Sequence, residues 1–249
     1  MNKITVIGTG SVGSTIAYTL AVTGIASEIV MVDINEEKAL GEALDIRQGI
    51  PFCGSSVSVY AGSYRDAAGS DIVVLTSGVA RKPGQSRLDL TQTNVNITKS
   101  IIPEITKYAD KAVYVIVSNP VDILTYVFMK CSDIPENRII GSGTILDTAR
   151  LRSRISEYYN INQKNVHAYV FGEHGDSSFV PWSIANISNI PIDGYADAIS
   201  GQDTLPMPKL DHEAIEDYMR KSGGMVISRK GATYYAIAVS VTHICDRLL

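Results

Sequence analysis

Lys3-Ile4-Thr5-Val6-Ile7-Gly8-Thr9-Gly10-Ser11-Val12-Gly13 opens the chain on a short apolar run that feeds directly into three closely spaced glycines. The run reads as a strand and the glycines as a tight turn. Beyond the turn, Val12, Ile16 and Leu20 recur at four-residue spacing, the signature of one helix face, and Gly24 stands where a helix C-cap is expected. A second apolar run, Glu28 to Val32, ends in Asp33, twenty residues after Gly13. Strand, glycine turn, helix, strand and terminal acid therefore fall in register. Each part has a mechanical use. Glycine lets the backbone approach a pyrophosphate, the helix N-terminus offers N–H groups and the positive end of its dipole, and the carboxylate accepts hydrogen bonds from ribose hydroxyls. The pattern predicts a dinucleotide site on Gly8, Gly10, Gly13 and Asp33, against the alternative of a glycine turn that serves only packing. A negative charge at Asp33 repels a 2′-phosphate, so NAD is expected over NADP.

The same alternation continues downstream. Apolar runs at 56–60, 72–77 and 113–117 alternate with helical stretches at 35–49, 89–108 and 121–131, which predicts a parallel sheet with crossover helices. The uninterrupted Ile72-Val73-Val74-Leu75 suits a strand covered on both faces. In the long helix Leu90, Ile97, Ile101, Ile105 and Tyr108 share one side, and Pro103 is expected to kink it. Near Gly141 to Thr144 the pattern changes. From there a strand-like run at 166–171, polar loops, a helical region from Asp211 and a last helix at 231–249 are expected. The predicted fold is α/β: a doubly wound parallel sheet of the Rossmann NAD-binding type over 1–142, then an α+β substrate domain over 143–249. The last helix is still periodic at Leu249, so the second domain is expected to be C-terminally shortened.

Composition bounds the rest. With 249 residues, 45% hydrophobic and 19% charged, the chain has the make-up of an ordinary globular protein and length enough for two domains. A net charge of −4 without a basic run gives no footprint for nucleic acid or a membrane surface. No apolar stretch reaches the length of a membrane span, and the glycine turn at Gly8 leaves no room for a signal peptide, so a cytoplasmic protein is expected. Cys53, Cys131 and Cys245 are widely spaced and lack CxxC pairing, which predicts reduced packing cysteines and no metal site.

Only four histidines occur. One, His174, lies in Gly172-Glu173-His174-Gly175-Asp176, downstream of Asp147 and Arg150. Imidazole titrates nearest neutrality and exchanges protons at working pH when a carboxylate fixes its tautomer. Arg150, three residues after Asp147, falls on the same side of a helix turn and offers the planar fork that a carboxylate needs. The plain alternatives are a solvated loop histidine and an i, i+3 ion pair. Between the run ending at Ser77 and the helix at Asp89 lies Gly78-Val79-Ala80-Arg81-Lys82-Pro83-Gly84-Gln85-Ser86-Arg87, a cationic loop placed to close over a ligand beyond the strand ends.

Val117-Ser118-Asn119-Pro120, Leu146-Asp147-Thr148-Ala149-Arg150 and Gly172-Glu173-His174-Gly175-Asp176, in this order behind the N-terminal fingerprint, resemble the L-lactate/malate dehydrogenase family over essentially the whole chain. The resemblance implies reversible hydride transfer between NADH and a 2-oxo acid. It implies His174 as proton donor and acceptor, Asp147 as its orienting partner, Arg150 as the clamp on the substrate carboxylate and Arg87 as the group that polarises the carbonyl. Asn119 is implied as a ligand to cofactor ribose and substrate, Thr233 as a substrate-pocket residue, and Val12, Lys38, Tyr64, Gly78, Val79, Ser100, Val117 and Ser142 as further cofactor positions. A homotetramer is implied by the resemblance alone.

The substrate is argued both ways. Arg81 stands where malate enzymes of the family have arginine and lactate enzymes usually glutamine. Leu88 after Arg87, and Gly231-Ala232-Thr233-Tyr234-Tyr235, resemble bacterial lactate dehydrogenases. Arg152 and His167 match positions that bind fructose 1,6-bisphosphate in activated members of that branch. L-lactate dehydrogenase, in fermentative glycolysis, is the expectation. Malate dehydrogenase and an inactive NAD-binding remnant stand as alternatives.

Overall fold

The computed structural model describes residues 2–79, 87–200 and 208–249. In chain order the elements are β1 (Lys3–Ile7), α1 (Ser11–Thr23), β2 (Glu28–Val32), α2 (Glu36–Gly49), β3 (Ser58–Ala61), β4 (Ile72–Leu75), α3 (Arg87–Thr106), β5 (Val113–Ile116), α4 (Val121–Cys131) and β6 (Ile139–Gly141). They continue with α5 (Ile145–Tyr159), β7 (Val166–His167), β8 (Asn186–Ile187), β9 (Ile190–Pro191), α6 (Ile192–Ile199), α7 (His212–Lys230) and α8 (Tyr235–Leu248). Two compact units result: Met1–Ser142 with Tyr234–Leu249, and Gly143–Thr233.

In the first unit six parallel strands run in the order β3-β2-β1-β4-β5-β6. The order reverses at β1, which pairs with β2 on one side and β4 on the other, so the crevice of a doubly wound sheet opens at that point. Strands buried on both faces are near-continuously apolar, and Ile72 to Leu75 are all at most 1% exposed. Local chemistry sets the helix ends. Gly24, at φ 69°, closes α1 by donating to the Leu20 and Ala21 carbonyls, and the Asn35 side chain caps α2 by accepting from the Lys38 N–H. Pro103 lies inside α3, which ends three residues later at Thr106.

The last helix starts later than expected. Gly231 does not open it but terminates α7, with φ 86° and its N–H on the Ile227 carbonyl, and α8 starts only at Tyr235. Within the first unit α8 packs on α1. Ala238, Val241 and Cys245 form one apolar stripe that buries against Ile16, Ala17 and Leu20. Burial there pushes the Cys245 thiol up to about 12.

The second unit is α+β. A small antiparallel sheet of β7, β8 and β9 packs with α5, α6 and α7 around Leu151, Ile155, Val166, Ile187 and Met219. The strand expected over 166–171 is interrupted: β7 stops at His167, and Phe171 pairs separately with Phe179.

Acid should loosen this molecule. The Tyr60 hydroxyl and Lys3 hold the Glu28 carboxyl below its ordinary value, and the Ser63 N–H and hydroxyl do the same for Asp66. Carboxyls with folded values below their unfolded ones contribute stability that is complete above the unfolded value and is lost as pH falls through the folded one. The melting temperature is therefore expected to hold level near neutrality and to fall once pH drops below about 4. Thermal melts across an acid series check this; a level melting temperature through that range would contradict it.

Candidate active site

The strand register brings the expected cofactor residues to one edge of the first unit. Ile7 is level with Val32 and Leu75, Leu75 with Ile116, and Ile116 with Gly141. The chain therefore leaves the carboxyl ends of adjacent strands at Gly8, Asp33, Thr76, Val117 and Ser142. Val117 and Ser142 extend the ladders by donating to the Leu75 and Ile116 carbonyls at 2.9 and 2.8 Å.

The glycine turn is held by contact. Gly8 has φ 95°, and a β-carbon there would sit 2.8 Å from the Ser77 nitrogen; one on Gly13 would meet the Gly8 oxygen at 1.8 Å. Thr76 locks the turn by donating its hydroxyl to the Ile7 and Gly8 carbonyls, at 3.0 and 2.8 Å. Gly10 differs, since a β-carbon there meets nothing within 4 Å. Among the described residues no side chain caps α1 at Gly10, so its first N–H groups face outward to an anion, and Val12 lies in that first turn. This open cradle fits a pyrophosphate.

Asp33 follows β2, half-buried. Its Oδ2 accepts from the Thr9 N–H at 2.6 Å and the Thr9 hydroxyl at 3.0 Å, and its Oδ1 from the Asn35 N–H at 2.9 Å. Burial alone would push the carboxyl up, but the Thr9 and Asn35 hydrogen bonds and the Lys38 charge hold it below its ordinary value. The group stays ionised, with a lone pair of Oδ1 available to a ribose hydroxyl. Tyr64 belongs to the same neighbourhood: burial, then Glu104 and Asp33, push its phenol up. Ser100 is exposed on α3 and returns its hydroxyl to the Ile97 carbonyl, away from any bond to the turn among the described residues.

In the second unit the residues expected to form an acid–base centre meet around one carboxylate. Asp147, in the first turn of α5 and 5% exposed, accepts from Arg150 Nη1 on Oδ1 at 3.0 Å. Its Oδ2 lies 2.6 Å from His174 Nδ1. A buried carboxylate is stable only when paired, and here both oxygens are engaged. The Thr144 hydroxyl donates to the Val170 carbonyl at 2.6 Å and Val170 N–H donates to the Thr148 hydroxyl at 2.9 Å, which ties the start of α5 to the segment before the histidine loop. Phe171 and Phe179 exchange backbone hydrogen bonds of 2.9 and 3.0 Å across the base of that loop. Arg220 of α7 holds its far end by donating to the Ser178 carbonyl at 2.9 Å.

Arg152 donates to the Ala168 carbonyl at 3.0 Å and lies 4.7 Å over the Tyr169 ring, next to the exposed His167. Thr233 is half-buried in the link before α8. Arg81 lies outside the described residues. Arg87 begins α3. Gly78 and Val79 meet the side chain of Asn94.

Sequence reasoning did not single out Thr9, Thr76, Asn94, Thr144, Thr148 or Gly223. Each acts through a contact between distant segments, and a lone threonine or asparagine carries no spacing signal. Gly223 of α7 is the clearest case: a β-carbon there would lie 3.3 Å from Arg150 Nη2, whereas the next residue, Gly224, faces open space. Glycine inside a helix costs about 0.5–1 kcal/mol relative to alanine, so Gly224→Ala is expected to stabilise the protein by about that much. A denaturant midpoint that fails to rise would count against this reading of α7.

Comparison with known proteins agrees with this layout. Residues 2–141 match the profile of the lactate/malate dehydrogenase NAD binding domain, and residues 144–249 that of the lactate/malate dehydrogenase alpha/beta C-terminal domain. The L-lactate dehydrogenase of Thermoanaerobacter pseudethanolicus is 50% identical over 248 residues, covering 100% of this chain and 78% of that protein. A lactate dehydrogenase from a Medee basin deep-sea metagenome library superposes with a TM-score of 0.92 at 41% identity, over 98% of this chain and 76% of the other. The malate dehydrogenase of Picrophilus torridus gives 0.88 at 35% identity, over 98% of this chain and 75% of that one.

Proposed function

Since the chain belongs to the lactate/malate dehydrogenase family, we propose that it is an NAD-dependent L-lactate dehydrogenase that reduces pyruvate to L-lactate and runs the reverse reaction. The observation that carries this reading is the single buried carboxylate of Asp147, bonded on one oxygen to an imidazole and on the other to a guanidinium. Acid–base catalysis at a carbonyl beside a carboxylate requires those two groups.

NADH, when bound, supplies the hydride that adds to the carbonyl carbon. As charge develops on the carbonyl oxygen, His174 gives it the proton of Nε2, so one hydride and one proton turn the ketone into the alcohol. Asp147 accepts from Nδ1–H, fixing the tautomer and the ring orientation and stabilising the imidazolium before transfer. Arg150 offers its fork to the substrate carboxylate, and its bond to Asp147 pre-organises that fork. Arg87 polarises the carbonyl, Asn119 hydrogen-bonds the substrate, Thr233 lines its pocket, and Arg81 is a further contact to the substrate. In the first unit the open turn at Gly10 receives the pyrophosphate and ionised Asp33 the adenosine ribose, excluding a 2′-phosphate.

The lactate assignment over malate rests on identity: 50% to the L-lactate dehydrogenase relative against 35% to the malate dehydrogenase structure. Arg152 and His167, neighbours across Ala168, are the proposed contacts for fructose 1,6-bisphosphate as activator. We further place the enzyme in the cytoplasm as a homotetramer acting at the end of fermentative glycolysis; among the described residues no helix is long and apolar enough to cross a membrane. NADH oxidation measured side by side with pyruvate and oxaloacetate, with and without the bisphosphate, tests this. Faster turnover of oxaloacetate would make the enzyme a malate dehydrogenase, and no hydride transfer to either acid would leave an NAD-binding remnant.

A further inference from the structure

One buried amide joins two of the segments assigned to the cofactor. Asn94, on α3 and 3% exposed, accepts on Oδ1 from the Val79 N–H at 2.9 Å. Its Nδ2 donates to the Asn119 carbonyl at 2.8 Å and to the Val79 carbonyl at 3.3 Å. The same Oδ1 sits 3.3 Å from where a Gly78 β-carbon would be. The β4–β5 ladder ends just before this point: Val117 and Ser118 both donate to the Leu75 carbonyl, and the Ser118 hydroxyl donates to the Ser77 carbonyl at 2.6 Å. Beyond these bonds the Asn94 amide takes over the work of the ladder.

The chemistry of the side chain matches its partners atom for atom. A primary amide has two donors and an acceptor on one rigid plane. Here the acceptor meets the single N–H and the donors meet the two carbonyls. A carboxylate in the same place would keep the bond to Val79 N–H but turn an anionic oxygen on two carbonyl oxygens. An aliphatic side chain would take this partner away from three backbone groups.

We propose that Asn94 is a positioning residue for NAD(H): it holds the backbones of Val79 and Asn119 at the separation the cofactor requires, acting through them and not by touching it. This rests on the reading of Gly78, Val79 and Asn119 as cofactor positions. The test is titration calorimetry with NADH on the wild-type and Asn94→Asp proteins, from about pH 8 to pH 5.5, with melting curves of both. Affinity is expected to fall by about 5- to 100-fold in the variant at neutral pH, the penalty for hydrogen-bonding groups left mismatched. It should recover as pH is lowered, because the introduced carboxyl, once protonated, again donates to the Asn119 carbonyl while still accepting from Val79. The wild-type protein, measured over the same series, should show no such gain. A variant that melts earlier but binds NADH as tightly as wild type would overturn the proposal, as would a loss of affinity that acid does not relieve. Should the variant not fold, Asn94→Ser measured well below its melting transition decides: equal affinity refutes the role, and weakened affinity with an intact fold supports it. Failure of the wild-type protein to bind NADH would instead defeat the cofactor reading itself.

Discussion

Replacing His174 with asparagine is expected to lower kcat for pyruvate reduction by about 10²–10⁴-fold, the usual contribution of a positioned acid–base group. Binding of NADH should be unchanged. The asparagine amide still donates to Asp147 Oδ2, now 2.6 Å from His174 Nδ1, so the buried carboxylate keeps both partners and the loop keeps its anchor. What disappears is the second ring nitrogen and with it the proton for the alkoxide. Steady-state rates together with NADH fluorescence titration separate the two effects. Turnover within a few-fold of wild type would remove His174 from the mechanism.

Arg150→Ala should act on the other parameter. The guanidinium bonded to Asp147 at 3.0 Å is the proposed partner of the substrate carboxylate, and truncating one member of a buried hydrogen-bonded charge pair costs about 2–5 kcal/mol. A kcat/KM for pyruvate lower by on the order of 10²–10³-fold is expected, carried by KM. Asp147 Oδ1 also loses its donor, so the melting temperature should fall. Arg150→Lys separates charge from shape: a point charge without the fork should regain only part of the loss. An unchanged KM in the alanine variant would show that the substrate carboxylate is bound elsewhere.

Much of the first unit could be read before it was seen. Gly8, Gly10, Gly13 and Asp33 carry a spacing that only a strand–turn–helix–strand run satisfies, and Ile72 to Leu75 is apolar because both faces are covered. The pairing of Asp147 with Arg150 was legible because three residues in a helix return to one side. Other features were not. Strand β7 is two residues long and its apolar continuation bends away to the Phe171–Phe179 pair, which period-two alternation cannot anticipate. The start of α8 depended on Gly231 acting as a stop, whereas the pattern was read as one helix from that glycine to Leu249. Asn94, Thr76 and Thr9 are invisible for a deeper reason: each bonds to groups far away in sequence, backbone for the first two and the Asp33 carboxylate for Thr9, and nothing in its own neighbourhood records that.

The packing of α8 on α1 bears on how the molecule is made. Helix α1 ends at Thr23 and its cover begins at Tyr235, so the nucleotide-binding unit cannot close its core until the whole of Gly143–Thr233 has left the ribosome. A nascent chain at that stage lacks the α8 wall of the cluster that holds Ile16, Ala17 and Leu20 for the entire time the intervening unit is synthesised. A core left open in this way exposes apolar surface that favours misassembly.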